Sequence, residues 1–320
     1  MSNISVGIVG YGNLGRGAEI SVAANPDMAL KAIFSRRSLD HPLHASMEKI
    51  LDWRDELDVL LLCGGSATDL PEQAPALAEH FHLVDSFDTH ARIPEHHAAV
   101  DAAALRGGKI AVISTGWDPG LFSLMRVLFE AVLPRGNGHT FWGRGVSQGH
   151  SDAVRRIPGV RDARQYTIPS ETALARVRSG ENPELSTREK HSRLCYVVLE
   201  EGADAAAVED AIVTLPHYFA DYDTTVHFVS ADELERDHSG LPHGGFVLRS
   251  GETGPGHRHL VEFGLQLESN PEFTASVLVA CARAALRLAR RGESGARTIF
   301  DLPIGLLSPH ASEDLRRDVL

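Results

Sequence analysis

The chain has 320 residues, 43% of them hydrophobic and 23% charged, with a formal net charge of −12. That length admits two domains of ordinary size or one large one, and the composition is that of a globular protein. The acidic balance argues against nucleic acid or an anionic membrane as the main partner, since both reward a basic face, though a local basic pocket could still hold an anionic ligand.

The opening stretch "MSNISVGIVGYG" enters a strand almost at once, with no basic leader or cleavage site. No apolar run approaches the length of a membrane span, so the expected compartment is cytoplasmic. The three cysteines, Cys63, Cys195 and Cys281, are far apart and form no metal-binding spacing. An odd, sparse set suits a reducing compartment, where buried thiols act as small apolar residues.

Strand-like runs at 4–10, 29–34, 58–63, 82–87 and 109–114 are accompanied by helix-like segments at 13–24, 71–80 and 91–106. Apolar strands alternating with helices predict a parallel sheet covered on both faces, a Rossmann-type α/β dinucleotide-binding domain over 1–118. After "STGWDPG" the strands become more polar and alternating, at 139–145, 164–170, 192–200, 224–230, 244–251 and 257–267. Helices are fewer there, near 120–133, 171–180 and 204–213. This texture predicts a second, α+β domain over 119–267 with a mixed or antiparallel sheet. Residues 272–291 form the best amphipathic helix, basic at its C-terminal end "RLARR", which reads as dipole complementation. The segment from about 268 to 320 is expected to pack back onto the first domain or onto a second subunit.

"GYGNLG" sets Gly10, Gly12 and Gly15 in the spacing GxGxxG between the first strand and first helix, with Tyr11, Asn13 and Leu14 between them. The first glycine permits a tight turn, the second lets backbone approach a pyrophosphate, and the third allows close helix–strand packing. At the end of the second strand, where an NAD site carries a carboxylate for the ribose hydroxyl, this chain has Ser35, Arg36 and Arg37. A hydroxyl and two guanidinium groups suit a 2′-phosphate, which predicts NADP(H), although a solvated basic turn would look the same.

Beyond the strand ends lie "GGSATD", "SFDTH" and "STGWDPG". Ser66, Ala67, Thr68 and Asp69 could line the ribose and nicotinamide, with Pro119 and Gly120 closing the same cofactor site. Asp88 and Asp118 would face the crevice as a carboxylate pair suited to a cationic amine, holding it and accepting its proton. Asp118, ahead of "PGLF", could equally cap a helix.

The segments "VGIVGYGNLGRG", "FSRR", "GSATDLPEQAP", "STGWDPGLFS", "TFWGRGVSQGHSDAVRRIPGV", "QYTIPS", "GLPHGG" and "NPEFTAS" together resemble the meso-diaminopimelate dehydrogenase family, in one register from residue 3 to about 310. The resemblance implies a cytoplasmic, homodimeric, NADP-dependent enzyme of lysine biosynthesis. Such an enzyme deaminates the D-configured centre of meso-2,6-diaminopimelate to L-2-amino-6-oxopimelate, which cyclises to tetrahydrodipicolinate, with release of ammonia and NADPH. It further implies that Asp88 and Asp118 hold the reacting amino group and that Trp117 and Trp142 wall the pocket. Gln148 and Gly149 would meet the carboxylate at the reacting end through backbone N–H groups. Thr167, Arg193, His243 and Asn270 would grip the distal L-amino-acid end.

Other readings carry less of the sequence. Seventeen histidines, with "HSGLPHGG" and "GHRH", invite a metal site, but His257 and His259 lack an acidic or cysteine partner at ligand spacing, so no metal is expected. "RRIPG" at 155–159 could clamp a phosphate or be a helix end with solvated arginines. A sister reductase such as dihydrodipicolinate reductase, or a non-catalytic NADP sensor, would share the glycine loop. Neither would need the Asp88/Asp118 pair.

Overall fold

The computed structural model describes residues 3–320; the first two residues of the N-terminal segment read above lie outside them. In chain order the elements begin β1 (Ile4–Val9), α1 (Asn13–Ala23), β2 (Met28–Ser35), β3 (His44–Ser46) and a 3-10 turn over Met47–Trp53. Then follow β4 (Val59–Leu62), α2 (Leu70–Ala78), β5 (His82–Asp85), α3 (Ile93–Gly107), β6 (Ile110–Val112) and α4 (Leu121–Val132). The middle of the chain forms β7 (Gly136–Trp142), β8 (Gly145–Val146), α5 (Gln148–Arg155), β9 (Val160–Pro169), α6 (Glu171–Arg178), α7 (Thr187–Lys190), β10 (His191–Leu199) and α8 (Ala205–Val213). It continues through β11 (Asp223–Phe228), α9 (Ala231–His238), β12 (His243–Gly254) and β13 (His257–Leu267). The chain ends with α10 (Asn270–Ala289), β14 (Gly295–Arg297) and α11 (Ser312–Asp318).

These elements divide into two compact units, Met1–Leu124 with Pro271–Leu320, and Met125–Asn270. In the first, seven strands form one parallel sheet in the order β14-β6-β5-β4-β1-β2-β3. Alternate residues of a strand buried on both faces must meet two separate cores. β4 does this residue by residue: Val59 and Leu61 join α1 and α10, while Leu60 and Leu62 join α2 and α3. Pro71 in the first turn of α2 and left-handed Gly108 closing α3 fit the usual start and stop chemistry of helices.

The sequence reading misses β3 and β14, each three residues long and too short for a period to show. α10 contributes Val277, Leu278, Cys281, Ala282 and Ala285 to the core of this unit. Its basic end differs from expectation. Arg287 does not simply complement the helix dipole; it donates to the backbone carbonyls of Leu306 and Ser308 at 3.0 and 2.7 Å. Buried Arg283 likewise holds both carboxylate oxygens of Asp27 and the Leu307 carbonyl.

The second unit has two sheets where one is expected. A four-stranded mixed sheet runs β11-β10-β9-β8, parallel only between β10 and β11. A three-stranded antiparallel sheet runs β13-β12-β7. Period-two alternation marks each strand as half-buried but carries no record of which strands pair, so one sheet and two look alike in sequence. The core of the first sheet gathers Ala163, Cys195 and Val197 against Val154 of α5 and Val208 and Ile212 of α8. α5, α7 and α9 are short polar helices; the reading passes over α7 and α9 and meets α5 only as the helix end at "RRIPG". Their N-caps are Ser147, Ser186 and Ser230, each accepting a backbone N–H from its own first turn. "RRIPG" lies where α5 ends, with Arg155 donating to the Ala163 carbonyl and Arg156 exposed.

All three cysteines are buried and free, and burial pushes each thiol up to about 12. They are packing residues rather than nucleophiles.

Candidate active site

In the first unit a crevice of about 280 Å³ opens at the C-terminal ends of β1, β2 and β4. Gly10, Tyr11, Gly12, Ser35, Arg36, Arg37, Cys63, Gly64, Gly65 and Asp69 all line it. Gly10 has φ +92°, which a side chain would strain. A Cβ on Gly15 would lie 2.1 Å from the Gly10 carbonyl oxygen, whereas one on Gly12 would meet nothing within 4 Å. The three glycines thus separate into a turn, an open cradle at the start of α1, and a close packing contact. Open space against a helix N-terminus is what a pyrophosphate needs. The residues present fit a dinucleotide.

Arg36 and Arg37 both stand exposed at this crevice, and Ser35 Oγ accepts the Arg37 N–H at 3.1 Å. No carboxylate sits at the end of β2 itself, but Asp69 is brought in from the loop after β4. One of its oxygens accepts from Arg36 at 2.8 Å and the other from the Gly65 N–H at 2.9 Å. Asp69 therefore belongs with the arginines rather than with Ser66, whose hydroxyl accepts the backbone N–H groups of Asp88 and Thr89 at 2.9 and 3.2 Å. Ala67 and Thr68 occupy the turn between them, and Asn13 and Leu14 open α1.

Asp88 follows β5 and is exposed; Asp118 follows β6 and is half-buried next to buried Trp117. Asp118 lies three residues before α4, in a turn closed by a Trp117–Gly120 bridge and a cis Asp118–Pro119 bond. Gly120, at φ +132°, has its Cβ position 1.8 Å from the Gly116 carbonyl oxygen, so the tightness of this turn accounts for its being glycine. Among the described residues no group of three or more His, Cys, Asp or Glu side chains could hold a metal.

In the second unit, backbone pairing gathers residues far apart in sequence. Thr167 and Arg193 are direct partners across β9 and β10, and Gly145 of β8 pairs with Thr167. The Val146 N–H donates to the Pro242 carbonyl at 2.8 Å, next to His243, and the Asn270 N–H donates to Leu241 at 2.9 Å. Gln148 and Gly149 are exposed in the first turn of α5, where backbone N–H groups lack intrahelical partners. Thr167, Arg193, His243, Asn270, Gln148 and Gly149 thus come from five segments stitched around one short strand.

Arg193 is the unusual group. It is 7% exposed, donates to Thr167 Oγ1, and lies with its guanidinium carbon 3.9 Å from the Tyr222 ring centroid. Its Nε has no hydrogen-bond partner among the described residues. Burial pulls its pKa down, with Tyr222 opposing. A buried cation without a counter-charge is costly, and a carboxylate ligand would relieve it with a planar, two-pronged fit.

Trp142 is exposed at the end of β7. Its backbone N–H donates to His191 Nε2 at 2.9 Å, and the two rings stack at 5.3 Å. Burial, with Arg193 and Lys190 adding, pushes His191 down to about 4, so it stays a neutral acceptor. The sequence reading names neither His191 nor Tyr222. It also passes over Gln165, fully buried between Ala163 and Thr167 with both amide atoms unpartnered among the described residues. The strand alternation that places 163, 165 and 167 on one face was the available signal.

The chain is similar to known proteins along its whole length. Residues 116–269 match the diaminopimelic acid dehydrogenase C-terminal domain. The chain is 62% identical to meso-diaminopimelate D-dehydrogenase of Ureibacillus thermosphaericus, covering all of both proteins. Among solved structures, the diaminopimelate dehydrogenase of C. glutamicum in complex with diaminopimelate is 48% identical, with a TM-score of 0.95 and full coverage of both chains. An engineered D-amino acid dehydrogenase bound to NADP+ is 46% identical, with a TM-score of 0.90 and full coverage of both. The chain belongs to the meso-diaminopimelate D-dehydrogenase family.

Proposed function

We infer that this chain is an NADP-dependent dehydrogenase of the D-configured centre of meso-2,6-diaminopimelate. Family membership along the whole chain carries the reading. The dinucleotide crevice with its two arginines supports the cofactor. Buried Arg193, with its Nε unpartnered among the described residues, supports a substrate with a carboxylate at its far end.

In this reading the first unit holds NADP(H), and the 2′-phosphate meets Ser35, Arg36 and Arg37. The bound nicotinamide accepts hydride from the substrate's Cα. Asp88 and Asp118 hold the reacting ammonium group and take its proton, so that its lone pair forms the C=N bond as the hydride leaves. Water then adds to the imine carbon, and the resulting carbinolamine collapses to the C=O group as the C–N bond breaks and the nitrogen leaves as ammonium. In sum, meso-2,6-diaminopimelate, water and NADP+ give L-2-amino-6-oxopimelate, ammonium, NADPH and one proton. Gln148 and Gly149 present backbone N–H groups to the carboxylate beside the reacting centre. Arg193, Thr167, His243 and Asn270 fix the L-amino-acid end, and Trp117 and Trp142 supply apolar walls. Gripping the far end lets only one stereocentre point its hydrogen at the ring, so orientation supplies both rate and selectivity. The family resemblance further implies a homodimer working in the cytoplasm.

NADPH formation by the purified chain, with separate meso-, LL- and DD-diaminopimelate and with NADP+ against NAD+, tests this directly. Turnover on the meso isomer with NADP+ is expected. Turnover on none of the three, with NADPH still bound, would overturn it.

A further inference from the structure

Asp85, the last residue of β5, is fully buried and has no place in the chemistry above. Its Oδ1 accepts two backbone N–H groups, from Phe87 at 3.0 Å and from Ser114 at 2.8 Å. Its own carbonyl accepts a third, from Thr115 at 2.9 Å. Its Oδ2 lies 2.7 Å from His96 Nε2, on a ring in α3 whose side chain is 3% exposed. That ring stacks on Phe87 at 4.1 Å with an interplanar angle of 12°.

The position of this carboxylate gives it meaning. Strand pairing between β5 and β6 is recorded at Leu83–Ala111 and Val84–Val112, and goes no further. Where that ladder stops, the Asp85 side chain takes over and ties the start of the loop after β5 to the start of the loop after β6. Asp88 is the next residue after Phe87, and Asp118 follows Thr115 by three. Ser114 adopts φ +55°, a conformation that a non-glycine residue keeps only where its surroundings hold it. Buried carboxylates cost free energy unless their oxygens are satisfied, and here four hydrogen bonds gather on this one residue.

We propose that Asp85 and His96 form a positioning pair that sets the spacing of Asp88 and Asp118. Asp85 fixes both loop starts through the Phe87 and Ser114 N–H groups. His96 holds the second carboxylate oxygen, and so the side chain's orientation, while its stack on Phe87 steadies the loop leading to Asp88. Neither residue touches substrate or cofactor. The pair's role rests on the assignment of Asp88 and Asp118 to the reacting amine.

The test compares Asp85→Ala, Asp85→Asn and His96→Gln in the full chain, with meso-diaminopimelate and NADP+. Turnover is expressed per NADPH-binding site, titrated with NADPH itself. Asparagine keeps one acceptor oxygen for both N–H groups and turns an amide donor toward His96 Nε2, which can accept as the other tautomer. Asp85→Ala should lower kcat per site by about 100-fold, the scale of a displacement near 1 Å, while NADPH affinity is kept. Asp85→Asn should recover to within about 10-fold of the unmodified chain, because a neutral acceptor is weaker but placed alike. His96→Gln should fall between the two. A merely structural role would lower the number of binding sites or the melting temperature and leave kcat per site unchanged, and that result would overturn the proposal. If Asp85→Ala does not fold, His96→Gln decides alone: unchanged kcat per site overturns it. Failure of the unmodified chain to turn over would instead bring down the functional reading, and the pair's role with it.

Discussion

The guanidinium of Arg193 sits over the Tyr222 ring, 3.9 Å from guanidinium carbon to ring centroid, while Thr167 takes one of its N–H groups. Stack and hydroxyl together leave the fork pre-set, with Nε still unpartnered among the described residues. Arg193→Lys keeps the charge but loses both the fork and the stack. Steady-state kinetics should show KM for meso-diaminopimelate rising by about 10-fold or more, with NADPH affinity unchanged. An unchanged KM would remove Arg193 from the substrate's far end.

The glycines of "GYGNLG" should separate by experiment. A methyl group on Gly12 enters open space at an ordinary φ of −87°, so Gly12→Ala should fold with an unchanged melting temperature. It should still weaken NADPH by about 10-fold or more, since the methyl group occupies the pyrophosphate's place. Gly15→Ala drives a methyl group into the Gly10 carbonyl and should cost about 1–3 kcal/mol of stability. Thermal melting with NADPH titration reads both, and equal behaviour of the two variants would contradict the cradle.

Arg36→Ala together with Arg37→Ala should weaken NADPH by about 100-fold, through loss of charge-assisted bonds worth about 1.5–3 kcal/mol each. NADH, which has no 2′-phosphate, should lose little. Fluorescence titration with both nucleotides decides this; equal losses would take the 2′-phosphate away from these arginines.

Asp88→Asn and Asp118→Asn keep hydrogen bonding but remove the base. Each should retain NADPH binding while kcat falls by about 100-fold or more. Turnover preserved in one of them would assign the proton to the other.

Three histidines, buried His191 and half-buried His82 and His150, are pushed down to about 4, in each case chiefly by loss of solvent. His82 Nδ1 accepts the Ile110 N–H at 2.9 Å and His191 Nε2 accepts the Trp142 N–H, so both must be neutral in the fold. Unfolded, each would take up a proton below the usual 6.5, which the folded chain refuses until about 4. Stability should therefore be fully present above pH 6.5 and fall as the pH is lowered from there toward 4, by more than about 1 kcal/mol in total. Chemical denaturation across that range checks the slope, and His82→Asn should flatten part of it.

Much of the first unit is legible in the sequence because its strands are continuous apolar runs set off by helical periods and turn glycines. The register that brings Asp69 to Arg36 is not legible, since it depends on a loop crossing from another strand. In the second unit the site residues Thr167 and Arg193 each sit in a recognisable strand, yet only their pairing makes a site of them. His191, Tyr222 and Gln165 escaped notice for the same reason. Asp85 and His96 are invisible for a further one: a buried carboxylate and an imidazole eleven residues apart carry no motif, and only the end of a strand ladder gives them work.

The strand Gly295–Arg297 completes the parallel sheet by pairing with β6, and α10 supplies the core that covers β1 and β4. During synthesis, the residues up to Leu124 therefore emerge as an unfinished sheet, with α1 on one face but without α10 until Pro271–Leu320 follow. The stretch Met125–Asn270 is made in between and can close its own core first. Completion of the nucleotide-binding unit thus waits for α10 and β14 to be made, and its long-range contacts set the pace. A chain halted before α10 would hold a middle unit able to close its own core and a parallel sheet still lacking its edge strand β14.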